Sequence, residues 1–470
     1  MPTQPDTYDP RLDAPTANRD FSADIQPGRA PTYDLDAPTA VTTPAALPYA
    51  SPSTPPDAPP ARLVSLDAFR GLVMVLMVSA GLSIGTVVKN MPPEQRTDTW
   101  RYLAFQTDHP TWQSWSFWDL IQPGFMFMVG TAMAFSLASR RAKGHGFARM
   151  LFHALWRSAV LVALGVFFAS AWSPRVNFEF TNVLAQIGLG YTFLFLIAWL
   201  KPRWQAVSAA VILAGYWALF ALYPAMPKDA NPKDYGLPAN WVRLDGFAAH
   251  WEKNANAATA FDKWFLNQFP IHALRNTKTP TTDPAAPRFE YNAGGYQTLN
   301  FVPSLATMIC GLLAGGWIRR QDKSGMTKFA GLVAGGAVGF GVGWALNALG
   351  WCPLVKRVWS PSFAIFSAGL VAAGLAVFYL IIDVARLRAW SKPLVIVGMN
   401  SIAIYYISMQ FKPFVRDNVK RFFGPEAYND LSWTFTRDKL YAPMFESGIF
   451  LIFAWAIVYW MYRQRAFIRI

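Results

Sequence analysis

Cysteine is scarce in this 470-residue chain, and charge is thin. The two cysteines, Cys310 and Cys352, make no CxxC pair, and no HExxH occurs, so neither a disulfide framework nor a set of metal ligands can be read. Only 15% of the residues are charged, against about a quarter in an ordinary soluble domain. That shortage argues against a water-soluble globular protein. Residues 1–61 carry few large apolar side chains and cannot bury enough surface to offset the entropy of ordering. They also lack the basic end and apolar core of a signal peptide. The six-residue stretch Leu12 to Ala17 returns unchanged at Leu35 to Ala40, so this segment reads as a disordered, Pro/Ala/Asp-rich cytoplasmic tail.

What is abundant is apolar. Hydrophobic residues make up 53% of the chain and aromatics 16%. Nearly uncharged runs long enough to cross a bilayer as helices recur at 63–88, 117–138, 151–172, 182–200, 204–223, 299–318, 327–349, 362–384, 393–411 and 443–462. The expected fold is all-α: a polytopic transmembrane bundle of about ten helices over 62–470, with an extracytoplasmic segment at 225–298. The glycines of the seventh run, from Gly331 to Gly343, predict close helix packing there.

A net charge of +14 could suggest nucleic acid. The cations instead collect in short loops: Arg140, Arg141 and Lys143; Lys201 and Arg203; Arg319, Arg320 and Lys323; the segment 386–392; and Arg463, Arg465 and Arg469 at the end. Short basic loops mark the cytoplasmic side of a membrane protein. No nucleic-acid partner is therefore expected. The lipid bilayer is the expected surrounding, with both termini cytoplasmic in a bacterial inner or plasma membrane, and homo-oligomeric assembly is compatible with the sequence.

Ionisable and amide side chains at membrane spans are expensive and point to function. Asp67 and Arg70, three apart, can pair on one face of the first helix. His109 stands ten residues before Asp119, where the second apolar run begins. Asn400 and Ser401 interrupt the ninth. Arg140 and Arg141 could hold anionic groups, although topology alone accounts for them. Trp241, Trp251 and Trp264 could stack on sugar rings, and Trp112, Trp115, Trp118, Trp172 and Trp460 read as interfacial anchors.

The stretch Ser65-Leu66-Asp67-Ala68-Phe69-Arg70-Gly71 resembles the opening of the membrane-bound acetyltransferases related to heparan-alpha-glucosaminide N-acetyltransferase. The His109–Asp119 spacing, Trp112, the series Pro123, Phe125, Phe127, Gly130, and the run Gly398-Met399-Asn400-Ser401-Ile402 extend the likeness over roughly residues 62 to 411. Two positions depart from it. Gly81 stands where the family often has Asn, and Gln186 follows Val183-Leu184-Ala185 where the family often has Arg.

The resemblance implies an acetyl-CoA-dependent transmembrane acyltransferase, moving acetyl from cytosolic acetyl-CoA to an extracytoplasmic sugar or glycan acceptor. His109 would be the general base or the acetyl carrier, and Asp119 its orienting carboxylate. Asp67, Arg70, Asn400, Ser401, Arg140 and Arg141 are the candidate substrate- and coenzyme-binding residues, with no metal. A secondary transporter or flippase, or a membrane scaffold without catalysis, would share the ten spans.

Overall fold

A computed structural model describes residues 63–173, 176–269 and 289–468; the tail at 1–61 lies outside them. Among these residues no strand forms beyond one isolated bridge, and helices dominate. They are α1 (Val64–Ser79), α2 (Ile84–Asn90), α3 (Asp98–Gln106), α4 (Ile121–Ala142), α5 (Phe147–Ser170), α6 (Val183–Ile197), α7 (Pro202–Ala221), α8 (Ala257–Phe265), α9 (Phe301–Ile318), α10 (Gly325–Ala348), α11 (Pro361–Phe378), α12 (Lys392–Met399), α13 (Ser401–Gln410), α14 (Lys412–Phe423), α15 (Ala427–Thr436) and α16 (Ala442–Arg463). Among the described residues, eight stretches are long and apolar enough to cross a membrane. The pair α12–α13, bent by 72° at Asn400, and the shorter apolar α6 occupy the other two places read as spans. This is a polytopic helical membrane protein.

Bilayer burial gives helices no hydrophobic reason to associate, so close packing of small residues must hold them together. On α10, Gly336, Gly339 and Gly343 share one face, and a side chain on any of them would run into Gly369 or Phe366 of α11 or the backbone between. Gly335 and Gly341 point away and meet nothing, as the helical period requires. The contact of α4 with α9 is built the same way. Gly130 sits against the Met308 carbonyl, Gly311 against that of Phe127, and Thr131 Oγ1 donates to the Gly311 carbonyl at 3.0 Å.

The first span is not one helix. Ala80, Gly81, Leu82 and Ser83 all take left-handed backbone angles, so the chain breaks between α1 and α2. Gly81 tolerates its φ of +61° without penalty, and a Cβ there would come within 2.9 Å of Thr107. The space an Asn would fill is therefore taken. At the other departure, the Gln186 amide donates to the Phe180 carbonyl at 2.7 Å and the Thr298 carbonyl at 3.1 Å. It thereby ties the start of α6 to the turn before α9.

The alternation of spans puts the loops carrying Arg141, Lys201, Arg319 and Arg463 at one end of the bundle, here termed the basic face. The far face carries the 107–120 loop, residues 225–269 and 289–298, and the turn before α11.

Candidate active site

The site grows out of a helix start. α4 is preceded by a 3₁₀ turn, Phe117–Leu120, whose third residue is Asp119. Its carboxylate reaches back to accept the Ser116 backbone N–H at 3.1 Å on Oδ2, the carboxylate half of a capping box. That bond fixes the carboxylate and leaves Oδ1 for other donors. The loop before it is stitched by Ser116 Oγ to the Asp108 carbonyl at 2.7 Å, Phe117 N–H to Gln106 Oε1 at 2.8 Å, and His109 N–H to Asp108 Oδ1 at 2.8 Å. His109 is thereby brought back over Asp119. Its Nδ1 lies 2.6 Å from Asp119 Oδ1.

A third residue, which the sequence reading missed, joins them. Lys356 Nζ lies 3.1 Å from the same Asp119 oxygen and 3.2 Å from His109 Nδ1. Ser114 N–H donates to the Leu354 carbonyl at 3.1 Å, and Ser114 bridges to Val355, so the segment leading to Lys356 is laid alongside the histidine loop. The next residue, Arg357, donates to the Gly294 carbonyl at 2.8 Å and the Pro110 carbonyl at 3.3 Å. Asn300 in turn donates to the Arg357 carbonyl at 2.8 Å. Asp119 is 1% exposed and Lys356 7%, whereas the His109 side chain is 35% exposed. Burial pushes the Lys356 ammonium below its usual range, and Asp119 pulls it back toward charge. A salt bridge with both heads shielded from water holds only when its partners are bonded, as here.

His109 lines a cleft of about 610 Å³ together with Lys89, Arg101, Asp108 and Trp112. A second cleft of about 420 Å³ shares Thr111, Trp112 and Gln113 with it and extends to Trp241 and Arg243. The tryptophans divide. Trp251 is fully buried, stacked on Phe220, with its carbonyl accepting from Trp112 Nε1 at 3.1 Å, so neither Trp251 nor the buried Trp112 serves the surface role read from the sequence. Trp241 borders the second cleft, and Trp264 is exposed and lines neither.

The remaining candidates lie toward the basic face. Asp67 and Arg70 pair at 3.7 Å, and Arg70 donates to the Gly398 carbonyl at 3.5 Å, so this motif and the α12–α13 break form one cluster. Asn400 is engaged with the C-terminal segment: its Nδ2 donates to the Ala466 carbonyl at 3.2 Å, and its Oδ1 accepts from Ile468 N–H at 3.3 Å. The Ser401 hydroxyl donates to the Gly398 carbonyl at 2.8 Å. None of the four lines a cleft described here. Arg140 and Arg141 also separate. Arg140 contacts His153 Nε2 at 3.0 Å, whereas Arg141, stacked on Trp199, borders a cleft of about 750 Å³ with Arg319, Arg320, Trp317 and Gln205.

One buried acid stands apart. Asp262 of α8 is fully buried and accepts the Thr298 N–H at 2.9 Å on Oδ2; burial pushes its carboxyl up to about 7. A folded-state pKa above the unfolded one means that the fold binds this proton more tightly. The stabilisation is therefore complete at low pH and is lost as pH rises from the ordinary carboxylate range, about 4, through about 7. Thermal unfolding followed across that window should show a falling melting temperature. In Asp262→Asn, which keeps an acceptor for Thr298, this contribution should vanish.

The fold and site together define an integral membrane protein with a histidine–carboxylate–lysine cluster over an open cleft. The chain is a distant relative of the heparan-alpha-glucosaminide N-acetyltransferases. It is 22% identical to the human protein over 451 residues, covering 87% of this chain and 60% of that protein. It is 22% identical to the mouse protein over 384 residues, covering 73% and 53%. The chain thus spans less than two thirds of the length of these curated relatives, and no protein-family model matches it.

Proposed function

We propose that the protein is a transmembrane acetyltransferase that takes acetyl from acetyl-CoA at the cytoplasmic face and delivers it to a sugar or glycan at the far face. The observation that carries this reading is His109: Nδ1 is engaged by a buried carboxylate and Nε2 has no hydrogen bond from the described protein, while the ring borders an open cleft. An imidazole held this way has its lone pair directed at a reactant. In one route the ring takes the proton from an amine or hydroxyl that attacks the thioester carbonyl and expels the coenzyme thiol. In the other, Nε2 itself attacks that carbonyl and expels the thiol, and the acetyl-imidazole then yields its acetyl to the acceptor. Asp119 orients the ring and offsets the positive charge that develops on it.

The donor would enter at the basic face. Arg141, Arg319 and Arg320 rim the large cleft there and would meet the phosphates of the coenzyme. Arg140 is the weaker candidate, since its guanidinium faces His153. Asp119 and Arg141 are 22 residues apart on one continuous helical stretch, about 33 Å at 1.5 Å per residue. The acyl end of the donor therefore has to be drawn deep into the bundle, where bulk water cannot hydrolyse the thioester. The Asp67–Arg70 pair, Asn400 and Ser401 would act on the donor indirectly, by holding the α1–α12 contact that borders the interior. At the far face the tandem clefts around Trp112 and Trp241 would take the acceptor.

The test uses sealed vesicles with an acceptor panel of amino sugars and glycans enclosed at the far face and labelled acetyl-CoA supplied at the basic face. Wild type should place label covalently on an enclosed acceptor, and His109→Ala should lower that by about 10²–10⁴-fold. Equal transfer by both removes His109 from the chemistry. Label or acceptor that crosses without becoming bonded points to transport instead.

A further inference from the structure

Three titratable groups meet at one buried oxygen, and their charges must balance there. With His109 neutral, Asp119 ionised and Lys356 protonated, the cluster is neutral. Asp119 Oδ1 then accepts from Nδ1–H at 2.6 Å and from Nζ–H at 3.1 Å. In that arrangement the Nδ1–Nζ separation of 3.2 Å is a contact between two donors that share an acceptor. The imidazole proton sits on Nδ1, and Nε2 is bare.

Without the ammonium, the same site would hold a carboxylate that is 1% exposed, with no cation bonded to it. It would keep only the Ser116 and Nδ1 N–H bonds, the kind that hold a triad carboxylate. Losing the cation raises the proton affinity of the carboxylate–imidazole pair and so favours uptake of a proton. Only two places can receive it. If the carboxyl takes it, the new O–H donates to Nδ1 and forces the Nε2–H tautomer. If the imidazole takes it, the ring becomes an imidazolium with both nitrogens protonated. Either way Nε2 loses its lone pair.

We infer that Lys356 is a positioning residue whose fixed positive charge stands in for that proton, so that Nε2 of His109 stays bare toward the cleft. Other charged groups nearby do not replace it. Arg357 is bonded to the Gly294 and Pro110 carbonyls, with its guanidinium over the Tyr296 ring. Asp108 bonds the His109 backbone N–H and faces Lys89 at 3.8 Å. Arg101 pairs with Asp98 at 3.4 Å, and Arg96 donates to the Met91 and Lys89 carbonyls. Lys356 is the one cation bonded to Asp119 among the described residues. Its delivery by the Ser114–Val355 bridge ties the proton's place to the fold.

The inference rests on Nε2 being the reacting atom, but its test needs neither donor nor acceptor. The full chain, labelled with ¹⁵N-histidine and reconstituted in bilayers at neutral pH, is examined by solid-state NMR. The His109 signals are identified by their loss in His109→Gln. Wild type should show Nδ1–H with an unprotonated, imine-type Nε2. Lys356→Met, which keeps the length and removes the charge, should convert Nε2 to the protonated type, and Lys356→Arg should keep it unprotonated. In the vesicle assay Lys356→Met should lose at least about tenfold in kcat with little change in KM, since the ground-state clefts are untouched.

An unchanged His109 spectrum in Lys356→Met overturns the inference. An Nε2–H already present in the wild type does so as well, and that measurement decides the matter even if the Met variant fails to assemble. Failure of transfer by a wild type whose spectrum is as expected would instead count against the acetyltransferase reading.

Discussion

Asp119→Asn should abolish nearly all transfer while leaving the bundle assembled. The amide fills the same space and keeps an acceptor for the Ser116 N–H, which anchors the carboxylate at 3.1 Å. Toward His109 it can present N–H in place of a lone pair, and Lys356, once it has lost the carboxylate it bonds in the wild type, is left 3.2 Å from Nδ1 as a second possible donor to that nitrogen. Both favour the Nε2–H tautomer. The equivalent change in a serine-protease triad costs about 10⁴-fold for that reason, so a loss of about 10³–10⁴-fold is expected in the vesicle assay. Asp119→Ala should do something further. Both changes leave Lys356, 7% exposed, without its anion, which costs about 3–5 kcal/mol. Ala in addition removes the acceptor of the Ser116 N–H and opens a void, so it should be the less stable of the two. Unfolding in detergent, followed by tryptophan fluorescence, separates the two. Equal activity in wild type and Asp119→Asn would exclude the carboxylate from setting the tautomer.

Gly311→Val should be the most damaging change away from the site. Its Cβ would enter the Phe127 carbonyl of α4, a backbone atom that no rotamer change can move. Thr131 Oγ1 also donates to the Gly311 carbonyl, so separating the helices breaks a buried hydrogen bond. Overpacking of this kind costs about 1–3 kcal/mol, and more where backbone must give. A loss of about 3 kcal/mol or failure to assemble is expected. α4 carries Asp119 just before its first turn, so a displaced α4 also moves the site. Gly335→Val on α10, whose added carbon meets nothing, is the matched control and should unfold like wild type. A Gly311 variant as stable as that control would show that α4 and α9 are not in contact as described.

Much of this protein was legible in the sequence because the relevant physics is local. Hydrocarbon offers the backbone no hydrogen bonds, so a long apolar run must be a helix. The positions of most spans follow from that alone. His109 and Asp119 were linked by the family spacing they resemble, and the capping turn that folds the short loop back is what brings them together. The glycines of α10 announced a close contact, though not which of them make it.

Lys356 was out of reach. It stands 247 positions beyond His109, in a short turn whose basic pair reads as an ordinary loop. Nothing in local spacing connects the two, since the link runs through the Ser114–Val355 bridge and the Arg357 contacts to two other segments. The same holds for Arg141, which joins Arg319 and Arg320 at one cleft while its neighbour Arg140 turns to His153. Adjacent residues on a helix point about 100° apart, and which of them meets a partner depends on what packs alongside. The apolar pattern determined by itself that the chain is a helical membrane protein and where most of its helices run. Which distant charges meet at Asp119, and hence where a proton is held, was decided only when those helices packed.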